Sequence, residues 1–126
     1  MISVKIHESA ENYLETILIL KNRKGLVRSI DIANELGFSK PSVSIAMKNL
    51  RENGYIEVDS KGFIELAESG KKIAELIYER HTFLSAWLEN IGVNPKIAAE
   101  DACRMEHIIS AESFEAIKKY VNSYNS

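Results

Sequence analysis

The chain has 126 residues, of which 45% are hydrophobic and 27% charged, with a formal net charge of −2. That is the composition of a soluble globular protein with room for one or two small domains. It excludes a bilayer-spanning helix, because no apolar run approaches roughly 20 residues. It gives no sign of a secretory signal in Met1-Ile2-Ser3-Val4-Lys5, and the single Cys103 cannot form an internal disulfide, so the expected compartment is the cytoplasm. Charge is uneven: Lys21 to Lys61 holds eight Lys/Arg against five Asp/Glu, while the remainder holds eight against thirteen. A basic segment on an acidic body fits DNA contact through one face.

In chain order, residues 8–22 read as a first helix, with Tyr13, Leu14, Ile17 and Leu18 at helical spacing. Arg23-Lys24-Gly25 breaks it. Ser29 is the expected N-cap of a short second helix carrying Ile30, Ile32, Ala33 and Leu36 and closed by Gly37. Ser39 caps a third helix running to about Glu52, with Pro41 in its first turn and Val43, Met47 and Leu50 as its buried stripe. Two helices joined by a short turn containing Gly form a helix-turn-helix.

Tyr55-Ile56-Glu57-Val58 and Phe63-Ile64-Glu65-Leu66 alternate apolar and polar, with turn residues Asp59-Ser60-Lys61-Gly62 between them. A hairpin directly after a recognition helix is a wing. From about Ala67 a long helix follows, with a stripe Ile73, Ile77, Leu84, Leu88 and Ile91 and a stop at Gly92. Asn94 and Pro95 open the next helix, which runs to about Ile109. Ser110 caps a last helix with Phe114, Ile117 and Val121 inward, and residues 122–126 are expected to fray. The predicted fold is mainly α: a winged helix-turn-helix over residues 1–70, then a helical domain over 71–126. Three helices make a thin core, so a second copy is expected to cover their apolar surface.

The third helix presents Lys40, Ser42, Ser44, Ile45, Lys48, Asn49 and Arg51 outside its stripe. Short polar residues near its N-terminus suit base edges and phosphates, and the helix N-terminus itself favours phosphate. Lys40, Lys48 and Arg51 suit phosphate positioning, and Lys61 at the wing tip suits the backbone or the minor groove.

A second constellation lies in Cys103-Arg104-Met105-Glu106-His107. Cys103, Glu106 and His107 stand at i, i+3 and i+4, so a thiolate, a carboxylate and an imidazole leave one helical face. Those are ligands for a divalent transition metal, and a closed site needs more of them. His81 is the next candidate, although on its apolar stripe it also reads as a core histidine. Asn12 and Glu15 share a face of the first helix, where the acids also read as a solvated surface.

Taken together, Glu11-Asn12-Tyr13-Leu14-Glu15, Ser39-Lys40-Pro41-Ser42-Val43-Ser44, Glu79-Arg80-His81 and Cys103-Arg104-Met105-Glu106-His107 resemble the diphtheria toxin repressor family of metal-dependent regulators. The resemblance covers essentially the whole chain. It implies a homodimeric repressor that binds a duplex DNA operator through Ser39, Lys40, Pro41, Ser42, Ser44, Lys48, Arg51 and Lys61. It also implies metal ligands at Glu15, His81, Cys103, Glu106 and His107, with Asn12 where family members place Met or Asp. Cys103 is the choice of iron-type members and Glu15 that of manganese-type members, so this chain mixes the two. At the positions of a second family site it carries Ser85 and Ala99, which cannot ligate well. The chain is expected to be a short form, without the SH3-like domain of longer members.

The Cys103 thiolate favours Fe(II), Zn(II), Co(II) or Ni(II) over Mn(II), and the carboxylates of Glu15 and Glu106 pull back toward Fe(II) or Mn(II), so Fe(II) is expected, with Mn(II) second and Zn(II) possible. The expected mechanism is a corepressor switch that controls metal-uptake genes, in which a divalent ion relieves repulsion between Glu15 and Glu106 and sets the separation of two recognition helices. The rivals are a winged-helix regulator blind to metal, with Cys103 as an oxidation sensor, and a helical metal-dependent enzyme. No HExxH pair, GxSxG, P-loop or Rossmann glycine run is present, so no catalytic residue, small-molecule substrate or membrane partner is expected.

Overall fold

The structure, a computed structural model, describes the backbone of residues 3–125 and the side chains of residues 8–124. The described residues form six helices and a two-stranded sheet, and the chain divides into two compact units between Glu75 and Leu76.

In the first unit, helix α1 (Ser3–Lys24) is longer at both ends than its apolar periodicity indicates. Nothing upstream of residue 8 breaks a helix, and Lys21, Arg23 and Lys24 complement the negative end of its dipole. Gly25 stops it, with φ at 87° and its N–H donating to the Lys21 carbonyl at 2.9 Å. Helix α2 (Ser29–Leu36) starts one position earlier than a Ser29 cap would allow: Arg28 takes the cap position, and its N–H donates to the Asp31 carboxylate at 2.9 Å. The other Asp31 oxygen accepts from Lys24 Nζ at 2.7 Å. The Lys24 hydrogen bond, then that of Arg28, holds the Asp31 carboxyl below the usual carboxylate range.

Gly37 closes α2 in the left-handed region at φ 70°. Ser39 then caps helix α3 (Lys40–Glu52), accepting from the Ser42 N–H at 3.3 Å, with Pro41 in the first turn. Strands β1 (Ile56–Val58) and β2 (Ile64–Leu66) pair antiparallel, with Ile56 opposite Leu66 and Val58 opposite Ile64. The Asp59 carboxylate builds their turn by accepting from the Lys61 and Phe63 N–H groups at 2.9 Å each.

The hairpin is tied to the helices at several points. The Ile64 N–H donates to the Val27 carbonyl at 2.8 Å, Glu65 pairs with Lys21, and the Arg28 guanidinium lies 4.4 Å from the Phe63 ring centre. One core, built on Leu14, Ile17, Leu20, Ile32, Val43 and Met47, runs through α1 to α3 and on to the hairpin residues Ile56 and Ile64. Helix α4 (Glu68–Asn90) starts against it, where Gly70 lies so close that a β-carbon would stand 2.2 Å from the Tyr55 carbonyl oxygen.

The second unit comprises the later part of α4 with helices α5 (Pro95–Ile108) and α6 (Ala111–Asn125). The Asn94 side chain caps α5, accepting from the Lys96 and Ile97 N–H groups at 2.9 and 3.4 Å. Ser110 Oγ accepts from the Ser113 N–H at 3.1 Å at the start of α6. Its core is small: Leu84, Ala102 and Phe114, with Phe83 edge-on to Phe114 at 5.6 Å. Two expectations are corrected here. Ile91 lies beyond α4 and is 62% exposed, so the buried stripe ends before it. The tail continues as helix through Asn125, supported by the i, i+4 contact of Tyr120 with Tyr124 at 5.0 Å.

Gly70→Ala is expected to destabilise the protein by about 2 kcal/mol or more, although alanine is the better helix former by about 1 kcal/mol. Urea unfolding measures it. A folded-state pKa held down contributes stability above the unfolded value that is lost as pH falls through the folded one. Asp31→Asn should therefore lower stability by less than about 1 kcal/mol at neutral pH, and unfolding midpoints followed to acid should converge with wild type below roughly pH 4.

Candidate metal centre and nucleic-acid interface

Helix α5 buries Ala98, Ala102 and Glu106, which stand at i, i+4 and i+8 on one stripe. Two alanines keep that stripe narrow, and a carboxylate occupies the next position along it. Glu106 is 0% exposed, and neither of its side-chain oxygens accepts a hydrogen bond. A carboxylate taken out of water without compensation is strongly disfavoured. What faces it is imidazole. His81 Nδ1, from α4, lies 3.1 Å from Oε2, and His107 Nε2 lies 3.5 Å from Oε1.

This donor set fits a divalent ion. A buried carboxylate with uncommitted lone pairs and two imidazole nitrogens within reach of it make a partial coordination shell.

Arg80, the neighbour of His81 on α4, is 8% exposed. Its Nη1 donates to the Glu106 carbonyl at 3.1 Å and the Ile109 carbonyl at 2.9 Å, and its guanidinium lies 5.5 Å from the Phe114 ring centre. The last carbonyls of a helix have no intrahelical partner. Arg80 satisfies one of them and the carbonyl of the capping residue Ile109, and so fixes the turn that carries Glu106 and His107. Motif reading assigns this residue no role of its own. A signal for it does exist: Ile77, Arg80 and Leu84 are spaced as one buried stripe, and an arginine inside it needs a buried acceptor.

The other expected ligands sit differently. Cys103 is exposed, although the Glu106 and His107 side chains, three and four residues on, are 0% and 5% exposed. The i, i+3, i+4 spacing thus overstates how far Cys103 shares the Glu106 environment. In the first unit, Glu15 is a carboxylate at 6% exposure on α1, and the Asn12 carbonyl accepts from the Thr16 hydroxyl at 2.8 Å. Glu15 is therefore no solvated surface acid. Ser85 and Ala99 are half-buried.

On the first unit, Ser39, Lys40, Pro41, Ser42, Ser44, Lys48 and Arg51 are all exposed along α3, and Lys61 is exposed at the hairpin turn. Ser39 Oγ donates to Ser42 Oγ at 2.8 Å, so these two hydroxyls are committed first to capping the helix. Among the described residues, no helix is long and apolar enough to cross a membrane.

Glu106→Gln is expected to weaken Mn(II) binding by about tenfold or more, the worth of roughly 1.5 kcal/mol for a charge-assisted contact. Cys103→Ser, on an exposed position, should change it by less than about threefold. Calorimetric titration of chelator-stripped protein measures both.

Residues 5–63 match the family model described as the iron dependent repressor N-terminal DNA binding domain, and residues 67–126 match its metal binding and dimerisation domain. The chain is 34% identical over 119 residues to the transcriptional regulator MntR of Escherichia coli O6:H1 (strain CFT073), covering 94% of this chain and 77% of that one. It is 35% identical over 117 residues to the HTH-type transcriptional regulator MntR of Oceanobacillus iheyensis, covering 92% and 79%. In three dimensions it is similar to the manganese regulator SloR, with a TM-score of 0.79 and 26% identity over 90% of this chain; it spans about half (53%) of that structure's length. Two domain models in the order of the two structural units, together with relatives of this identity and coverage, place the chain in the iron-dependent repressor family, that of the diphtheria toxin repressor.

Proposed function

We propose that this protein is a cytoplasmic, homodimeric transcriptional repressor that binds its operator when loaded with a divalent metal and controls metal-uptake genes. The observation that carries the reading is the fully buried Glu106 carboxylate, faced by His81 and His107, on a chain whose other unit presents a basic recognition helix. We assign Glu106, His81 and His107 as ligands, with Glu15 from α1 as the carboxylate contributed by the DNA-reading unit. Cys103 and Asn12 are peripheral donors in this proposal.

Metal choice follows from the donors. Carboxylate oxygen and imidazole nitrogen suit Mn(II) and Fe(II), whereas the thiolate that favours iron is exposed. We therefore rank Mn(II) first and Fe(II) second, which agrees with the similarity to a manganese regulator. Zn(II) binds tightly to such donors irrespective of cellular use.

A divalent ion held by these residues would supply positive charge that offsets the Glu15 and Glu106 carboxylates. With it, the recognition helices of the dimer would hold the separation that two half-sites require. Exposed Ile91, Ile97 and Ile108, at 62, 46 and 71%, are apolar surface of the second unit that a homodimer would cover. On the DNA side, Lys40, Lys48, Arg51 and Lys61 position the protein on phosphates, while Ser39, Pro41, Ser42 and Ser44 bring the start of α3 to the groove.

Fluorescence anisotropy of the chelator-stripped protein on duplexes selected from a random library tests this reading. Affinity is expected to rise at least about tenfold when Mn(II) is added and to return to baseline with chelator. Lys48→Ala should reduce the slope of log affinity against log salt by about two, one per protomer. Binding that ignores chelation would replace the metal switch with a metal-blind winged-helix regulator.

A further inference from the structure

The buried residues of α3 are Val43, Met47 and Leu50. At about 100° per residue these fall within an arc of about 60°, and Ile45 lies roughly 140–160° from each of them. Ile45 is 63% exposed. It stands at the centre of the helix's outward face, at i+4 from Pro41 and with Lys48 and Asn49 at i+3 and i+4 after it. All of these neighbours are exposed.

An isoleucine is a poor choice for that position if the face only meets water. It is β-branched, which lowers helix propensity, and it gains nothing from solvent. A lone exposed apolar residue needs no explanation on an ordinary surface. This one sits on the face that enters a major groove, between residues suited to phosphate. In that groove the apolar group on a base edge is the C5-methyl of thymine. Meanwhile Ser39 and Ser42 have their hydroxyls engaged with each other.

We propose that Ile45 is a specificity-determining residue that reads a thymine methyl in each half-site by apolar contact. The inference rests on the DNA-binding reading above and adds which chemical group on the base is recognised. Pro41 lies one turn earlier on the same face and extends the apolar surface. Lys48 and Asn49 lie one turn later and flank it with polar contacts. The expected operator therefore carries a thymine at a fixed position in each half-site, where cytosine, which lacks the methyl, is discriminated against.

The test uses the full chain loaded with Mn(II). A binding sequence is selected from a random duplex library, and each thymine in it is then replaced by uracil, which removes only the methyl. For wild type, one symmetry-related thymine per half-site should lose about fourfold on replacement, near the effect of one buried methyl group. Ile45→Val keeps branched methyls and should retain that sensitivity, whereas Ile45→Ala should bind thymine and uracil duplexes alike. Uracil sensitivity that is absent in wild type, or unchanged in Ile45→Ala, would overturn the contact and leave the regulator intact. Failure of the metal-loaded protein to select any sequence would overturn the regulator reading, and this inference with it.

Discussion

The second unit is organised around a carboxylate that has no access to water. Glu106 follows Ala98 and Ala102 on the buried stripe of α5, where an apolar residue would ordinarily continue the pattern. An isolated buried carboxylate costs several kcal/mol. That cost explains why two imidazoles face it and why the helix end carrying it is clamped by a buried arginine. The same cost makes the position responsive to a cation: a group compensated in part by two histidines gains from a divalent charge more than a solvated acid would.

The first unit solves a different problem. A short helix-turn-helix has little core of its own, so the hairpin and α1 close it from outside. Its fixed points are few and specific: the Asp31 bridge between α1 and the start of α2, the Val27 bond to the hairpin, and the backbone approach at Gly70. These leave the outer face of α3 without structural duty, apart from the serines that cap it. A recognition helix needs that freedom, since every side chain spent on folding is lost to the groove. Helix α4 belongs to both units and carries Gly70 at one end and His81 further along. The scaffold of the DNA-reading unit and a candidate metal ligand thus sit on one continuous helix.

Part of the candidate metal centre is legible in the sequence alone. Glu106 and His107 follow from residue type and one helical turn, and His81 from the same chemistry on a neighbouring helix. Cys103 shows where spacing runs out. Positions i, i+3 and i+4 share a face only to within about 100°, and inside that arc the Glu106 and His107 side chains are 0% and 5% exposed while Cys103 is exposed. Glu15 shows the reverse: an acid that reads as part of a solvated surface proves to be buried, a fact that periodicity cannot supply for a polar residue.

What the sequence determined by itself were the local features: the caps at Ser39, Asn94 and Ser110, the glycine stops at Gly25 and Gly37, the two hairpin strands with their turn, and the order of helix-turn-helix, wing and helical domain. Each depends on interactions within a few residues, so residue type and spacing suffice. Only the tertiary structure decided which polar groups lose water. The burial of Glu15 and Glu106 and the two carbonyls held by Arg80 depend on what packs against each helix. Burial is set by neighbours distant in sequence, and desolvation turns an ordinary carboxylate or arginine into a functional one.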